Sequence, residues 1–122
     1  MAVSKRKVPA TPLGTHLVTD DGVTTTAQAL GSGATTIYAV FINNASNSAK
    51  SYMKFYNTSS PSAGTTEPYM VLMAPGSGSV QYTFPEGIVL GAASSYRCVT
   101  TGGTAGTTSP DQQVSAAMIV DV

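Results

Sequence analysis

The chain has very little of the chemistry on which most enzymes depend. Its 122 residues contain no tryptophan, one cysteine, Cys98, and one histidine, His16. A single cysteine excludes a disulfide within the chain, so packing must hold the fold together. Structural zinc needs three or four Cys, His or acidic ligands at fixed spacings, and this sequence does not supply such a set. We therefore predict that the chain binds no metal and no cofactor.

Charge is also scarce. Only 10% of the residues are charged, against about 25% in an average protein, and six basic residues balance six acidic ones. Such a balance lacks the basic surface that binds nucleic acids and anionic lipids. The chain has no apolar run of about eighteen residues, and its basic start is not followed by the apolar stretch of a secretory signal. We predict no nucleic-acid partner and no membrane association, and copies of the chain should not repel one another.

The reactive side chains that are present do not form a catalytic set. A triad needs a nucleophile, a base and an orienting group, and no second reactive residue can be placed beside His16 from the sequence. Cys98 alternates with Tyr96 in a strand-like segment, which indicates a buried and inert thiol. The Asp-Asp-Gly sequence at residues 20–22 favours a tight turn over a calcium site. We predict that the chain is not an enzyme.

What the sequence does contain is a succession of short strand patterns separated by Gly, Pro, Ser and Thr. Residues 35–43 (TTIYAVFIN) are apolar at both alternating sets of positions, so both faces of this strand should be covered. In residues 79–84 (SVQYTF), Val80, Tyr82 and Phe84 should point inwards. Seven to nine such strands without a helical period predict an all-β fold, an antiparallel two-sheet sandwich or jelly roll.

Two local turns are predicted from the same reading. Residues 16–19 and 23–26 flank the Asp-Asp-Gly sequence and should pair as a hairpin, because Asp-Gly suits the positive φ values of a tight turn. Pro85-Glu86-Gly87 should end one strand, so that residues 88–90 form a separate short strand.

The N-terminus has a different composition from the rest of the chain. Residues 1–14 include Pro9, Pro12 and the basic run KRK at residues 5–7, which should not form a strand or helix of its own. We predict an extended arm at residues 1–14, dispensable for folding, ahead of a sandwich domain at residues 15–122. The basic run has no interleaved aromatic residues, so it suits an acidic groove on a protein better than a nucleic acid, and a solvated, disordered tail is an equal alternative.

Four motifs carry a family resemblance. They are YMKFYN at residues 52–57, GTTEP at 64–68, FPEGI at 84–88 and SYRCVTTG at 95–102. In this order and spacing the sequence from residue 35 onwards resembles the capsid cement, or decoration, proteins of tailed bacteriophages. The resemblance implies a β-sandwich homotrimer on the outer face of the phage head, at junctions between major capsid proteins. It also implies a location in the virion, and in the host cytoplasm before assembly.

Two sets of contact residues follow from this interpretation. The arm residues expected to contact the major capsid protein are Lys5, Arg6, Lys7, Val8, Pro9 and Pro12. Apolar strand faces that one chain cannot cover predict a subunit interface, with the candidates Tyr38, Val40, Ile42, Tyr52, Tyr56 and Tyr69.

A second class of function stays open at this point. Tyr52, Tyr56 and Tyr69 could stack against the apolar faces of sugars, as in a carbohydrate-binding or receptor-binding module of a phage neck, tail or fibre. Interface or core packing is the favoured role for these tyrosines, because the chain has no tryptophan.

Overall fold

The protein is an all-β sandwich of two antiparallel sheets. The computed structural model describes residues 3–11 and 14–122, and the side chains of residues 3–5 and 16–122. No helix occurs in these residues. The strands are β1 (Val3–Thr11), β2 (Gly14–Asp20), β3 (Gln28–Gly31), β4 (Thr35–Asn43), β5 (Ser51–Tyr56), β6 (Met70–Ala74), β7 (Ser79–Leu90), β8 (Ser94–Val99) and β9 (Ser115–Asp121). The predicted fold class is confirmed.

The two sheets differ in size and in strand order. The first has five strands in the order β1-β2-β9-β4-β7, and the second has four in the order β3-β8-β5-β6. Every neighbouring pair is antiparallel. At one side of the sandwich the Tyr82 hydroxyl of β7 donates a hydrogen bond to the Met73 carbonyl of β6, at 2.6 Å. This bond links the edge strands of the two sheets.

The core lies between the sheets and follows the alternation of the strands. On β9, Ala116, Met118 and Val120 are buried, and the residues between them are half-buried. On β7 the predicted inward residues Val80, Tyr82 and Phe84 pack against the core, which confirms the alternation expected there. From the second sheet, Met53, Phe55, Tyr96 and Cys98 complete the core.

The central strand β4 departs from the predicted pattern. Its pairing with β7 and β9 shifts between Ile37 and Ala39, so the residues that face the core change from the odd-numbered to the even-numbered set at Tyr38. Ile37 and then Val40 and Ile42 are fully buried, while Phe41 is 41% exposed. Among the described residues no layer lies over the outer face of β4, so the prediction that both of its faces are covered is wrong for this part of the chain.

The predicted turn at Pro85-Glu86-Gly87 is instead an irregularity within one long strand. β7 continues from Ser79 to Leu90, and residues 84–87 have no Cα partner opposite Tyr38. Gly87 has a φ of 80°, the left-handed conformation that glycine adopts without strain. Pairing with β4 resumes immediately after residues 84–87. These residues, which suggest a turn in the sequence, therefore form a bulge.

The N-terminal segment forms a strand, contrary to the prediction from its composition. Val3–Thr11 is the edge strand β1, and residues 3–7 pair with residues 16–20 of β2. Lysine and proline are tolerated at a sheet edge, since one side of an edge strand needs no partner. The segment is thus extended but joined to the sheet. The division into an arm and a sandwich domain stays a prediction, and Pro12 lies outside the described residues.

The predicted hairpin around Asp20-Asp21-Gly22 is also wrong. β2 pairs with β1 and β9, and residues 23–26 are not a strand. The chain leaves the first sheet after Asp20 because Val23 is buried in the core. The Val23 amide donates to the Val114 carbonyl at 2.9 Å, and the Thr24 carbonyl accepts from the Cys98 amide at 2.8 Å. The turn therefore carries the chain from one sheet to the other.

Candidate binding interface

The two residues considered for catalysis lie on different sheets. His16 is half-buried on β2, and Cys98 is buried on β8. Burial raises the pKa of the Cys98 thiol to about 12, which keeps it protonated and unreactive at neutral pH. The described residues contain no group of three or more His, Cys, Asp or Glu side chains that could hold a metal ion. They also contain no helix long and apolar enough to cross a membrane.

The outer face of the four-stranded sheet is covered by the chain's own loops. Lys54 and Tyr56 on β5 and Arg97 on β8 point away from the core, yet all three are buried. The segments at residues 21–27, 57–69 and 100–114 lie over them, and each supplies one carbonyl to a cation. The Lys54 ammonium donates to Ala105 at 2.7 Å, and the Arg97 guanidinium donates to Thr25 at 2.9 Å and to Pro61 at 2.7 Å.

This covered face is electrostatically unusual. Lys54 and Arg97 are cross-strand neighbours, and no salt bridge to either is found in the described part of the chain. Burial, and then the positive charge of Arg97, lower the pKa of Lys54. The Arg97 guanidinium carbon lies 5.3 Å from the centre of the Tyr56 ring, a cation–π arrangement. Burial raises the pKa of Tyr56, and Arg97 acts against that rise.

The outer face of the five-stranded sheet has no such cover. Its centre is formed by two cross-strand rows, Leu17-Ile119-Ala39 and Thr19-Ala117-Phe41, which we name the open face. Five of these six side chains are half-buried and Phe41 is exposed. None of the six is charged. Such an uncharged and mostly apolar patch is a candidate protein-binding surface.

The four edge strands are unsuited to pairing with another chain. β1 carries Lys5, Lys7 and Pro9, and β7 is interrupted by the bulge at Pro85. β6 has five residues between Pro68 and Pro75, and β3 has four. Charges, prolines, bulges and short length each block edge-to-edge pairing. The open face is therefore the candidate surface for association.

The predicted arm contacts have different environments. Lys5 is exposed and its ammonium donates to the Ala29 carbonyl of β3 at 3.0 Å, so it already has a partner within the chain. Arg6, Lys7, Val8 and Pro9 lie on β1, and their side chains are outside the described set. Their contact with a capsid protein stays a prediction.

The predicted subunit interface needs correction at three positions. Val40 and Ile42 are fully buried, and Tyr56 is 1% exposed, so none of them can contact a second subunit. The shift in β4 explains the first two, because it turns them into the core. The covering loops and Arg97 explain Tyr56, and its burial also removes the three-tyrosine sugar platform.

The other three interface candidates keep some exposure. Tyr69 is 55% exposed. Tyr52 is half-buried, and a Cβ atom on Gly102 of the covering loop would lie 3.1 Å from its ring. Tyr38 is half-buried and its hydroxyl donates to Asp121 Oδ2 at 3.2 Å. Burial is the main cause that raises the pKa of Tyr38, and the Asp121 carboxylate adds to it.

Sequence reasoning missed the outward residue that matters most on each sheet. Phe41 was assigned to a covered face, because a shift in strand pairing has no clear signature in an all-apolar strand. Lys54 was not singled out, although Tyr52 and Tyr56 flank it at the same alternation. Aromatic residues on both sides of a lysine in a strand are a usable signal that the lysine is covered.

Comparison with known proteins gives no relative. No protein-family model, no curated protein and no solved structure matches this chain.

Proposed function

We propose that this protein is a structural component of a tailed-phage virion, a capsid decoration protein that binds the outer face of the head and stabilises the shell. The observation that carries the proposal is the contrast between the two outer faces. One is sealed by loops, while the other exposes uncharged apolar residues and has no cover of its own. A decoration protein needs such an adhesive surface and needs no reactive groups. The sequence resemblance to cement proteins supplies the location.

The size of the open face agrees with a role that depends on several copies. Strands of seven residues at about 3.3 Å each, five abreast at about 4.8 Å, give the whole outer face of this sheet a flat area of roughly 500 Å², of which the open face is the centre. A standard interface buries about 800 Å² per partner. A single open face therefore binds weakly, and a homotrimer that engages the major capsid proteins at several points gains by avidity.

The experiment is a comparison of two exposed apolar residues. Phe41→Ser removes the exposed ring at the centre of the open face, and Met73→Ser changes a residue of similar exposure, 37% against 41%, on the other sheet. We expect the wild type and M73S to have the mass of a trimer by light scattering, about three times 12.4 kDa, and to co-sediment with tailed-phage heads that lack the protein. F41S should lose one or both properties while it stays folded.

The outcomes separate the parts of the proposal. Loss of the trimer by F41S places the open face between subunits. Loss of head binding by an intact F41S trimer places it against the shell. A wild-type chain that is monomeric and does not bind such heads would overturn the proposal, and so would an F41S protein that behaves as M73S does.

A further inference from the structure

Residues 100–108 are the first part of the covering segment 100–114, and few hydrogen bonds hold them to the rest of the protein. Within the loop, the Thr100 amide donates to the Thr108 carbonyl at 3.0 Å. One hydrogen bond joins residues 101–107 to the rest of the described chain, and the Lys54 ammonium donates it to the Ala105 carbonyl. Ala105 itself is exposed to solvent, whereas Lys54 is completely buried. The loop thus separates a buried amine from water by a single layer of chain.

The position of Lys54 makes this closure costly when the amine carries a charge. A buried ion needs a counter-ion or several hydrogen bonds to offset the loss of hydration. Lys54 has one carbonyl partner, and its cross-strand neighbour is the cation Arg97. The Arg97 Nε atom is itself buried without a hydrogen-bond partner in the described residues. Neither cation compensates the other, and release of the loop would let water reach the Lys54 ammonium.

We propose that the 100–108 loop is a lid that opens locally, and that proton uptake by Lys54 controls its opening. The open form lets water solvate the ammonium, whereas the closed form leaves it a single carbonyl partner beside the Arg97 cation. The lid belongs to the covered face, so this proposal is independent of the function assigned to the open face.

The charged and titratable groups around Lys54 agree with control by this one residue. Arg97 faces it from β8, and Tyr52 and Tyr56 flank it on its own strand. β6, which pairs with β5 on the other side, carries no charged residue. The covering loops contain three acidic residues, Asp21, Glu67 and Asp111, and all three are exposed. A guanidinium group stays charged at any pH of interest, so Lys54 is the cation of this pair whose charge can change.

The direction of the pH dependence follows from linkage. The pKa of Lys54 in the closed form lies below the usual value of 10.5, and in the open form the hydrated amine regains that value. The open form therefore binds more protons between these two pKa values, and closure strengthens as the pH rises through that window. Lowering the pH through the window should open the lid.

Acylation of lysines in the native protein tests the proposal. Lys50 is exposed and reports the intrinsic reactivity of a hydrated amine at each pH, so the ratio of Lys54 to Lys50 acylation, measured by peptide mass spectrometry, reports lid opening. We expect this ratio to rise as the pH falls from 10 to 7, by up to about tenfold per pH unit inside the window. Alkylation of Cys98, which is buried in the core, reports global unfolding in the same samples and should stay slow.

A pair of glycine variants provides the matched control. A Cβ atom on Gly106, whose φ is 111°, would lie 2.7 Å from Thr101 Cβ, so Gly106→Ala should loosen the lid and raise the ratio at every pH. Gly91→Ala adds a methyl group with nothing within 4 Å and should leave the ratio unchanged. A ratio that does not vary with pH, a Lys54 that reacts only in step with Cys98, or a G106A ratio equal to that of G91A would overturn the proposal.

Discussion

Asp20 shows how a single buried carboxylate can organise the passage between the sheets. It is 1% exposed at the end of β2. Its Oδ2 accepts from the Tyr96 hydroxyl of the opposite sheet at 2.9 Å, and its Oδ1 accepts from the Gly22 amide at 3.0 Å. Each oxygen therefore has a partner, and the side chain connects β2 to β8 where the chain crosses over.

Removal of the Tyr96 hydroxyl tests this role. Tyr96→Phe keeps the ring in the core but leaves Asp20 Oδ2 buried without its donor, which costs about 1–3 kcal/mol. Denaturant unfolding should show this loss in the free energy of unfolding. Tyr69→Phe removes an exposed hydroxyl and should change stability by less than about 0.5 kcal/mol. Equal stabilities for the two variants would contradict the assigned role of Asp20.

At the scale of strands, the bulge in β7 determines which side of β4 meets the core. Four residues of β7 lie opposite Tyr38, and the alternation of β4 changes at that point. Without the shift, Phe41 would face inwards in place of Val40 and Ile42. The open face is thus a consequence of the Phe-Pro-Glu-Gly sequence on a neighbouring strand.

Gly87 is the residue on which the bulge depends. A Cβ atom at this position would collide with Thr36 Cγ2 and lie 3.1 Å from the Tyr38 ring, and its φ is 80°. Gly87→Ala should therefore lower the free energy of unfolding by more than about 1 kcal/mol. Gly91→Ala, in open space, serves as the reference in the same thermal or denaturant experiment. A G87A protein as stable as G91A would mean that the bulge can rearrange freely.

The strands themselves could be predicted because their alternation is a local property. β5 and the start of β7 follow from the positions of Met53, Phe55, Val80 and Tyr82. Pairing partners could not be predicted in the same way, since they depend on residues far apart in the chain. Asp-Asp-Gly indicated a hairpin, but the burial of Val23 and its bond to Val114 decided otherwise. Pro-Glu-Gly indicated a strand end, but β4 continued to pair beyond it.

At the scale of the whole molecule, β1 protects the five-stranded sheet. β1 carries Lys5, Lys7 and Pro9 at the edge of the sheet, and behind it β2 has the sequence GTHLVTD, with no lysine, arginine or proline. Removal of residues 1–11 would expose β2 as an edge that can pair with other chains. The structure therefore predicts that the segment keeps the chain from associating through β2, whereas the sequence analysis predicted that it is dispensable for folding.

This truncation gives a test at the level of assembly. We expect the chain without residues 1–11 to form larger and heterogeneous species by light scattering, because a new pairing edge is available. The charge-reversal variant Lys5→Glu keeps β1 in place and should retain the mass of the full chain. A truncated protein with a single mass and the thermal stability of the full chain would show that β1 is a removable arm after all.

Function was less accessible from the sequence than the fold. The composition predicted no catalytic chemistry. The surface that carries the candidate site depends on which faces of the two sheets are covered, and composition does not show this. Lys54 and Phe41 both alternate with aromatic or apolar neighbours. Lys54 is buried beneath a loop whose Ala105 carbonyl, 51 residues further along the chain, accepts its hydrogen bond. Phe41 is left exposed.

Loops cover the outer face of one sheet and not that of the other, and this difference would limit how far assembly can proceed. A body with adhesive contacts on opposite sides would stack without end, as fibres do. Under the proposed function, the covered face and the blunted edges offer few contacts to a further copy. Growth would then stop once the open face is occupied, and the protein would coat a surface as a single layer.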